Sequence, residues 1–232
     1  MFNLDNYQAL FKEIDRDKDS IIQTLIAYSE INTGSYNLDG INTFTNRLKN
    51  DFACLQADKL ETHKLSPFST INAQHEIVEN PLGSALSIQK RTKLNNTVLL
   101  SAHLDTVFSK ESSFQKTQWL DPQTLNGPGV ADIKGGIVII LWALKYFERL
   151  ETCNSIGWEV LFNPDEEIGS PGSSSLIKEK AAKHQLGLVF EPCLENGSLV
   201  SNRKGSLNFS ILCEGLAAHA GRHFNEGINA IE

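Results

Sequence analysis

Apolar residues recur at helical spacing early in the chain. Leu10, Ile14, Ile21 and Leu25 share one stripe, which predicts a helix over Tyr7 to Ile26. Asn32-Thr33-Gly34-Ser35 breaks the pattern, and a second helix is expected from about Gly40 to Asp51. The period then changes. Ala85 to Ile88 and Thr97 to Ala102 read as strands, the second an unbroken apolar run of the kind buried on both faces. A polar, turn-rich stretch runs from Phe108 to Pro128. Beyond it Gly135 to Leu150 reads as an apolar helix, Gly157 to Phe162 as a strand, Ser173 to His184 as a helix and Leu186 to Phe190 as a strand. This alternation predicts an α/β domain with a mostly parallel sheet flanked by helices.

After Glu191 the texture shifts to Gly197-Ser198-Leu199-Val200 and Ser206 to Leu212, two short strand patterns with no helix between them. A smaller α+β module is therefore expected to start at Gly205, dividing the chain into residues 1–204 and 205–232. Asn225 to Glu232 reads as a helix that stops after about one turn, too short to stand alone. The sequence is accordingly expected to be the N-terminal portion of a longer one. The Ser173-Ser174-Ser175 run is read as a helix cap.

Composition narrows the function. With 41% hydrophobic and 21% charged residues over 232 positions, the chain is neither disordered nor fibrous. Its 21 basic and 28 acidic residues give a net charge of -7 with no dense basic run, which argues against nucleic acid as a partner. The longest apolar stretch, Ile137 to Leu144, falls far below the roughly 20 residues that span a bilayer, so no membrane partner is expected. Met1 to Asp19 mixes acids and bases without an apolar core, predicting a cytoplasmic chain. Cys54, Cys153, Cys193 and Cys213 are widely spaced and are expected as free thiols with packing roles.

Candidate chemistry gathers at predicted strand ends. His103-Leu104-Asp105 follows the strand Thr97 to Ala102, and residues two apart in extended chain face the same way. A carboxylate beside an imidazole is a common way of orienting a metal-binding histidine. Asp132 lies in a glycine-rich segment just before a helix. It occupies the sixth place of a G-x-G-x-x-G pattern, where a carboxylate would repel phosphate, so the glycines mark a close backbone approach instead. The ordinary alternative for Asp132 is a helix N-cap.

Asp165-Glu166-Glu167 crowd three mutually repelling carboxylates, which a cation or a solvated loop must accommodate. Adjacent side chains diverge, so one glutamate can ligate a metal while its neighbour serves as general base. Glu191-Pro192 closes the last strand, with a solvated turn acid as the ordinary reading. The carboxyl ends of parallel strands share one edge of a sheet, which brings His103, Asp132, Glu166, Glu167 and Glu191 toward one place. An oxygen-rich set with imidazole and no thiolate suits zinc, cobalt or manganese in a hydrolytic site.

Five segments in order carry a resemblance. They are Ser101-Ala102-His103-Leu104-Asp105-Thr106-Val107, Asn126-Gly127-Pro128-Gly129-Val130-Ala131-Asp132-Ile133-Lys134-Gly135-Gly136, Asp165-Glu166-Glu167-Ile168-Gly169-Ser170, Phe190-Glu191-Pro192 and Ala218-His219-Ala220-Gly221. Together they resemble the zinc-dependent exopeptidase and deacylase family that includes glutamate carboxypeptidase, aminoacylase, acetylornithine deacetylase and succinyl-diaminopimelate desuccinylase. The texture is most similar to glutamate carboxypeptidase-like members, with Arg203-Lys204-Gly205 leading into the second module.

The resemblance implies an amide hydrolase acting on small peptides or N-acyl amino acids with two zinc ions. It assigns His103 and Glu191 to the first zinc, Asp132 as the bridge and Glu167 to the second zinc. Asp105 would orient His103, and Glu166 would be the general base. His219 would be the histidine of a lid and dimerisation domain that reaches across a homodimer to stabilise the oxyanion; its alternative is a turn histidine. His63, His75, His184 and His223 match no motif and are expected at the surface.

Two departures stand out. Phe224-Asn225 occupy the places where the family has proline and glutamate, ahead of Gly227-Ile228-Asn229-Ala230. The family's second zinc also needs a histidine from the C-terminal part of the catalytic domain, absent from these 232 residues. The chain by itself is thus expected to hold one zinc well and a second weakly, with impaired activity. The rival expectation is a non-catalytic remnant that binds a metal or an amino acid.

Overall fold

The computed structural model describes residues 7–231 except 73, 195, 201, 203, 206–208 and 210. Its strands are β1 (Lys59–His63), β2 (Phe68–Ile71), β3 (Ile77–Asn80), β4 (Ala85–Lys90), β5 (Thr97–His103), β6 (Gln118–Asp121), β7 (Thr124–Asn126), β8 (Gly157–Asn163) and β9 (Leu186–Val189). Five of these form the central sheet in the order β1-β4-β8-β5-β9. Every residue of β8 is buried, as befits the middle strand of a covered sheet.

β5 runs parallel to both β8 and β9, whereas β4 is antiparallel to β8 and to β1. Four strands therefore point one way and β4 opposes them, so the α/β class holds while half the pairings are antiparallel. The register between β5 and β8 matters most for function. His103 lies opposite Asn163, so both strands end level and release their following loops at one edge.

The helices are α1 (Gln8–Arg16), α2 (Lys18–Ser29), α3 (Leu38–Phe52), α4 (Gly135–Phe147) and α5 (Ser174–Ala181). The single helix expected over Tyr7 to Ile26 is divided at Asp17, which closes α1 and opens α2 while its carboxylate accepts a hydrogen bond from the Tyr146 hydroxyl at 2.5 Å. Asn37 caps α3 by accepting from the Gly40 N–H at 3.1 Å. The buried residues Ile41, Phe44, Thr45, Leu48 and Phe52 then fall three and four apart, the stripe a helix needs to lie on a sheet. The four apolar ones join Tyr28, Ile137, Leu141 and Leu144 in one core with Leu86, Ile88, Leu100, Trp158 and Phe162 from the strands.

Three expectations need correction. β1, β2 and β3 have no counterpart in the hydrophobic pattern, because β1 is charged and β2–β3 is an exposed hairpin. The polar stretch before Pro128 contains the hairpin β6–β7. His184 is not a surface residue. Its side chain is 3% exposed with Nε2 at 3.0 Å from Glu159 Oε2, and Lys180 Nζ sits 2.7 Å from Glu159 Oε1. His63 is half-buried, with Nε2 2.8 Å from Ser87 Oγ, while His75 and His223 are exposed.

Beyond β9 the described residues form no strand, and an isolated bridge joins Leu216 to Ile228. The segment 197–200 is exposed and irregular, and much of the strand expected over 206–212 lies outside the described residues, as does Arg203. A single turn, Phe224–Glu226, stands where the last helix was expected to open. Among the described residues β9 pairs only with β5, and all four of its residues are exposed. Cys153 is buried and the other three free cysteines are exposed. Among the described residues no helix is long and apolar enough to cross a membrane.

Candidate metal centre

His103 ends β5 with its ring 1% exposed. Nδ1 lies 3.0 Å from the Asp105 carbonyl oxygen and 3.3 Å from Asp105 Oδ1, so a proton on that nitrogen is satisfied from within the loop. Nε2 then faces outward among acids: Asp132 Oδ1 at 3.0 Å, Glu166 Oε2 at 3.8 Å and Glu191 Oε1 at 3.9 Å. His103, Asp132 and Glu191 each offer a ligand atom, and these atoms all lie within 4.8 Å of one another.

Electrostatics shows what this arrangement wants. Burial pulls the His103 pKa down, but the Asp105 hydrogen bond and the charges of Asp105, Glu191 and Glu166 outweigh it and raise the group to about 9. Burial, reinforced by Asp132, Asp105 and Glu166 against the opposing pull of His103, pushes Glu167 up to about 7. Without a metal the site takes up protons to offset its crowded carboxylates. A divalent cation serves that purpose better, and one imidazole nitrogen with several carboxylate oxygens is a donor set that zinc accepts.

The three adjacent acids after β8 separate into distinct environments. Asp165 turns inward, wholly buried, and accepts from the Gly172 and Ser173 N–H groups at 2.8 and 3.0 Å and from the Ser173 hydroxyl at 2.5 Å. Ser173 therefore sits at the start of α5 without capping it, because its hydroxyl is committed to Asp165. Glu166 and Glu167 each donate a backbone N–H to the Asp105 carboxylate, to Oδ1 and Oδ2 respectively, both at 3.1 Å. Their side chains diverge from that shared anchor, and Glu166 remains half exposed at 48%.

Asp132 is not a helix cap either. Lys134, two residues on, takes the position preceding α4. Gly136, in the first turn of α4, explains how Glu191 reaches the same place. A Cβ there would lie 2.2 Å from the Phe190 carbonyl oxygen, so only glycine lets the end of β9 press against the helix beside Asp132.

Two contributors escaped the sequence reading. The Ser35 hydroxyl donates to Asp105 Oδ2 at 2.8 Å, and Lys134 is buried with Nζ donating to the Ile31 carbonyl at 2.6 Å. Burial alone pulls the Lys134 ammonium down to about 7. His219 is exposed and accepts from the Gly221 N–H at 3.1 Å within its own turn.

The model of the peptidase family M20/M25/M40 matches residues 99–212, a span holding His103, Asp105, Asp132, Glu166, Glu167 and Glu191. Carboxypeptidase G2 of Pseudomonas sp. (strain RS-16) is 30% identical over 223 residues, covering 96% of this chain and 51% of its own length. Residues 99–212 carry an M20/M25/M40 peptidase family domain.

Three further proteins are similar to parts of the chain or share its fold. A probable carboxypeptidase of Aspergillus oryzae is 30% identical over 166 residues, 62% of this chain and 37% of its own. Human carnosine dipeptidase 1 shares the fold with a TM-score of 0.62 at 17% identity, over 77% of this chain and 40% of that one. The M20 family metallo-carboxypeptidase Sso-CP2 from Sulfolobus solfataricus does so with a TM-score of 0.56 at 19% identity, over 76% and 38%. The chain thus spans about half or less of the length of these relatives. The matched family span stops before His219.

Proposed function

We propose that this chain carries the water-activating half of a zinc-dependent amide hydrolase that acts on small peptides as a carboxypeptidase or on N-acyl amino acids as a deacylase. The convergence of His103 Nε2, Asp132 Oδ1 and Glu191 Oε1, with Glu166 Oε2 3.8 Å from the same nitrogen, carries this reading. In it, His103, Asp132 and Glu191 would hold one zinc, and Asp132, Glu167 and a histidine from a further part of the protein would hold a second. Zinc bound there would polarise the scissile carbonyl and lower the pKa of the attacking water.

The chain's own residues do the rest. Asp105 fixes the His103 ring so that Nε2 faces the ligand cluster. Glu166, anchored through its backbone and open to solvent through its carboxylate, takes a proton from the attacking water and returns it to the amine nitrogen as the C–N bond breaks. Residues 1–204 form the catalytic unit and those from 205 begin a lid through which two copies pair. His219 of a second copy would then stabilise the oxyanion. The charge pattern of the N-terminus supports a cytoplasmic setting.

The test is hydrolysis by the zinc-loaded full-length protein. Glu166→Gln should keep zinc bound while turnover falls about a hundredfold or more, the usual weight of a general base. Full turnover in that variant overturns the role. Zinc binding with no hydrolysis of any peptide or N-acyl amino acid would favour a binding remnant.

A further inference from the structure

We propose that the hollow beside the metal-ligand cluster, walled by Ser35, Tyr36, Thr106, Val107, Lys110 and Ile168, is a preformed subsite for an apolar side chain of aromatic size on the substrate. The proposal rests on the hydrolase reading and adds to it the kind of group that the site selects. The cavity measures about 440 Å³ and also has Glu167 on its wall, so it opens directly onto the candidate centre. That volume falls within the roughly 300 to 1,000 Å³ typical of small-molecule sites.

The walls are held in place before any ligand arrives. The Asn32 side chain donates to the Phe108 and Ser109 carbonyls, both at 3.1 Å, and to Gln115 Oε1 at 3.0 Å, pinning the loop after β5. Asn37 holds Asn32 in turn at 2.8 Å, and the Thr106 N–H donates to the Thr33 carbonyl at 2.9 Å. Gly34 allows this closeness, since a Cβ there would stand 2.5 Å from the Phe108 oxygen. Ser35 completes the link by bonding Asp105, which bonds His103.

The lining sets the ligand chemistry. Tyr36 and Val107 are 63% and 68% exposed, two large side chains left uncovered within a polar neighbourhood. Ile168 is half-buried against the same hollow. The charged members pair off, with Lys110 Nζ 3.9 Å from Glu111 Oε1, so the rim offers no unbalanced cation for a carboxylate. Glu167 on the wall would further repel an anion. An apolar ring covers the uncovered surface of Tyr36, Val107 and Ile168.

The experiment compares substrates that differ only in carrying phenylalanine or alanine, on each side of the scissile bond, with the zinc-loaded full-length protein. The phenylalanine substrate should be preferred on one side. Tyr36→Ser and Val107→Ser should each cut that preference in kcat/KM about tenfold, carried by KM, the scale of a lost apolar pocket contact. No preference, or one the variants leave intact, overturns the proposal. Calorimetric binding of N-acetyl-L-phenylalanine and N-acetyl-L-alanine gives a second readout. If nothing is hydrolysed, the hydrolase reading falls. The subsite still stands if the phenylalanine ligand binds more tightly and Tyr36→Ser removes that difference, and it falls if the two ligands bind alike.

Discussion

The Ser35 hydroxyl donates to Asp105 Oδ2 at 2.8 Å, joining the segment after α2 to the loop that orients His103. The same buried carboxylate accepts the backbone N–H groups of Glu166 and Glu167. One aspartate therefore sets the positions of an imidazole and two glutamates at once. Its oxygens are saturated by donors from three separate stretches of chain.

Removing one of those donors should loosen the site without unfolding it. Ser35→Ala is expected to cost about 1 to 2 kcal/mol of stability through the under-satisfied carboxylate. Asp105→Ala removes the anchor itself and should weaken zinc binding about 10 to 100-fold, the range seen when a partner of a ligating histidine is lost. Calorimetric zinc titration of both variants checks the order of these effects, and equal losses would contradict it.

Gly136→Ala sets a methyl group against the Phe190 carbonyl, 2.2 Å from where its Cβ would be. The strand end must retreat, taking Glu191 away from Asp132 and His103. Zinc affinity should fall about tenfold or more, because a weakened carboxylate ligand costs at least what an outer partner does. Far-UV circular dichroism should be unchanged. Unaltered zinc affinity would show that Glu191 is not held by this contact.

The pH response has a definite sign. His103 rises to about 9 from an ordinary 6.5, and Glu167 to about 7 from 4.5, so the folded metal-free protein binds these protons more tightly than the unfolded chain. The His103 contribution is full below pH 6.5 and is lost as pH rises through about 9, and Glu167 adds a loss in the same direction between 4.5 and about 7. Lys134, pulled down to about 7 from an ordinary 10.5, adds stability as pH rises over much of the same range, so the His103 effect is read as a difference: relative to His103→Gln, the chelated protein should lose melting temperature on going from pH 6.5 to 9. Zinc affinity should rise over the same interval, since the ligands must shed those protons. Calorimetric scans of both proteins with and without chelator read these trends, and a melting temperature that does not fall relative to His103→Gln in chelator would refute the assignment.

Away from the site, Glu159 holds the buried Lys180 ammonium at 2.7 Å and His184 at 3.0 Å, and accepts from Gln89 at 2.9 Å. Glu159→Ala leaves that ammonium without its counter-charge. Unfolding in urea should show a loss of about 3 to 5 kcal/mol, as expected for half of a broken buried pair. A loss below about 1 kcal/mol would place the pair with exposed ion pairs instead.

What could be read from the chain follows from how local each cause is. β5 and β8 announce themselves as apolar runs, and His103, Asp132 and Glu191 stand at the ends of legible elements, so their meeting is predictable from sheet geometry. The Ser35 to Asp105 bond spans 70 positions, and Asn32-Thr33-Gly34-Ser35 reads only as a helix break. Nothing local tells which of three adjacent acids turns inward; that is decided by the Gly172 and Ser173 N–H groups seven and eight residues on. β1 is illegible because Lys59–His63 owes its strand form to pairing with β4 rather than to its own apolar content. The environment of His184 left no local signal, because α5 ends at Ala181 and the imidazole reaches Glu159 from the turn that follows the helix.

The bare outer margin of β9 has a practical meaning. Leu186, Leu188 and Val189 are 52%, 42% and 68% exposed on a strand whose backbone, among the described residues, is paired on one side only. Such a margin is an adhesive template: a strand from any source can extend the sheet there, and two copies meeting margin to margin would do so themselves. Unless other polypeptide covers it, this stretch should govern the colloidal behaviour of the isolated 232-residue chain, turning concentration into precipitation. A lysine in place of Leu188 should relieve it, visible as a lower light-scattering intensity at equal protein concentration.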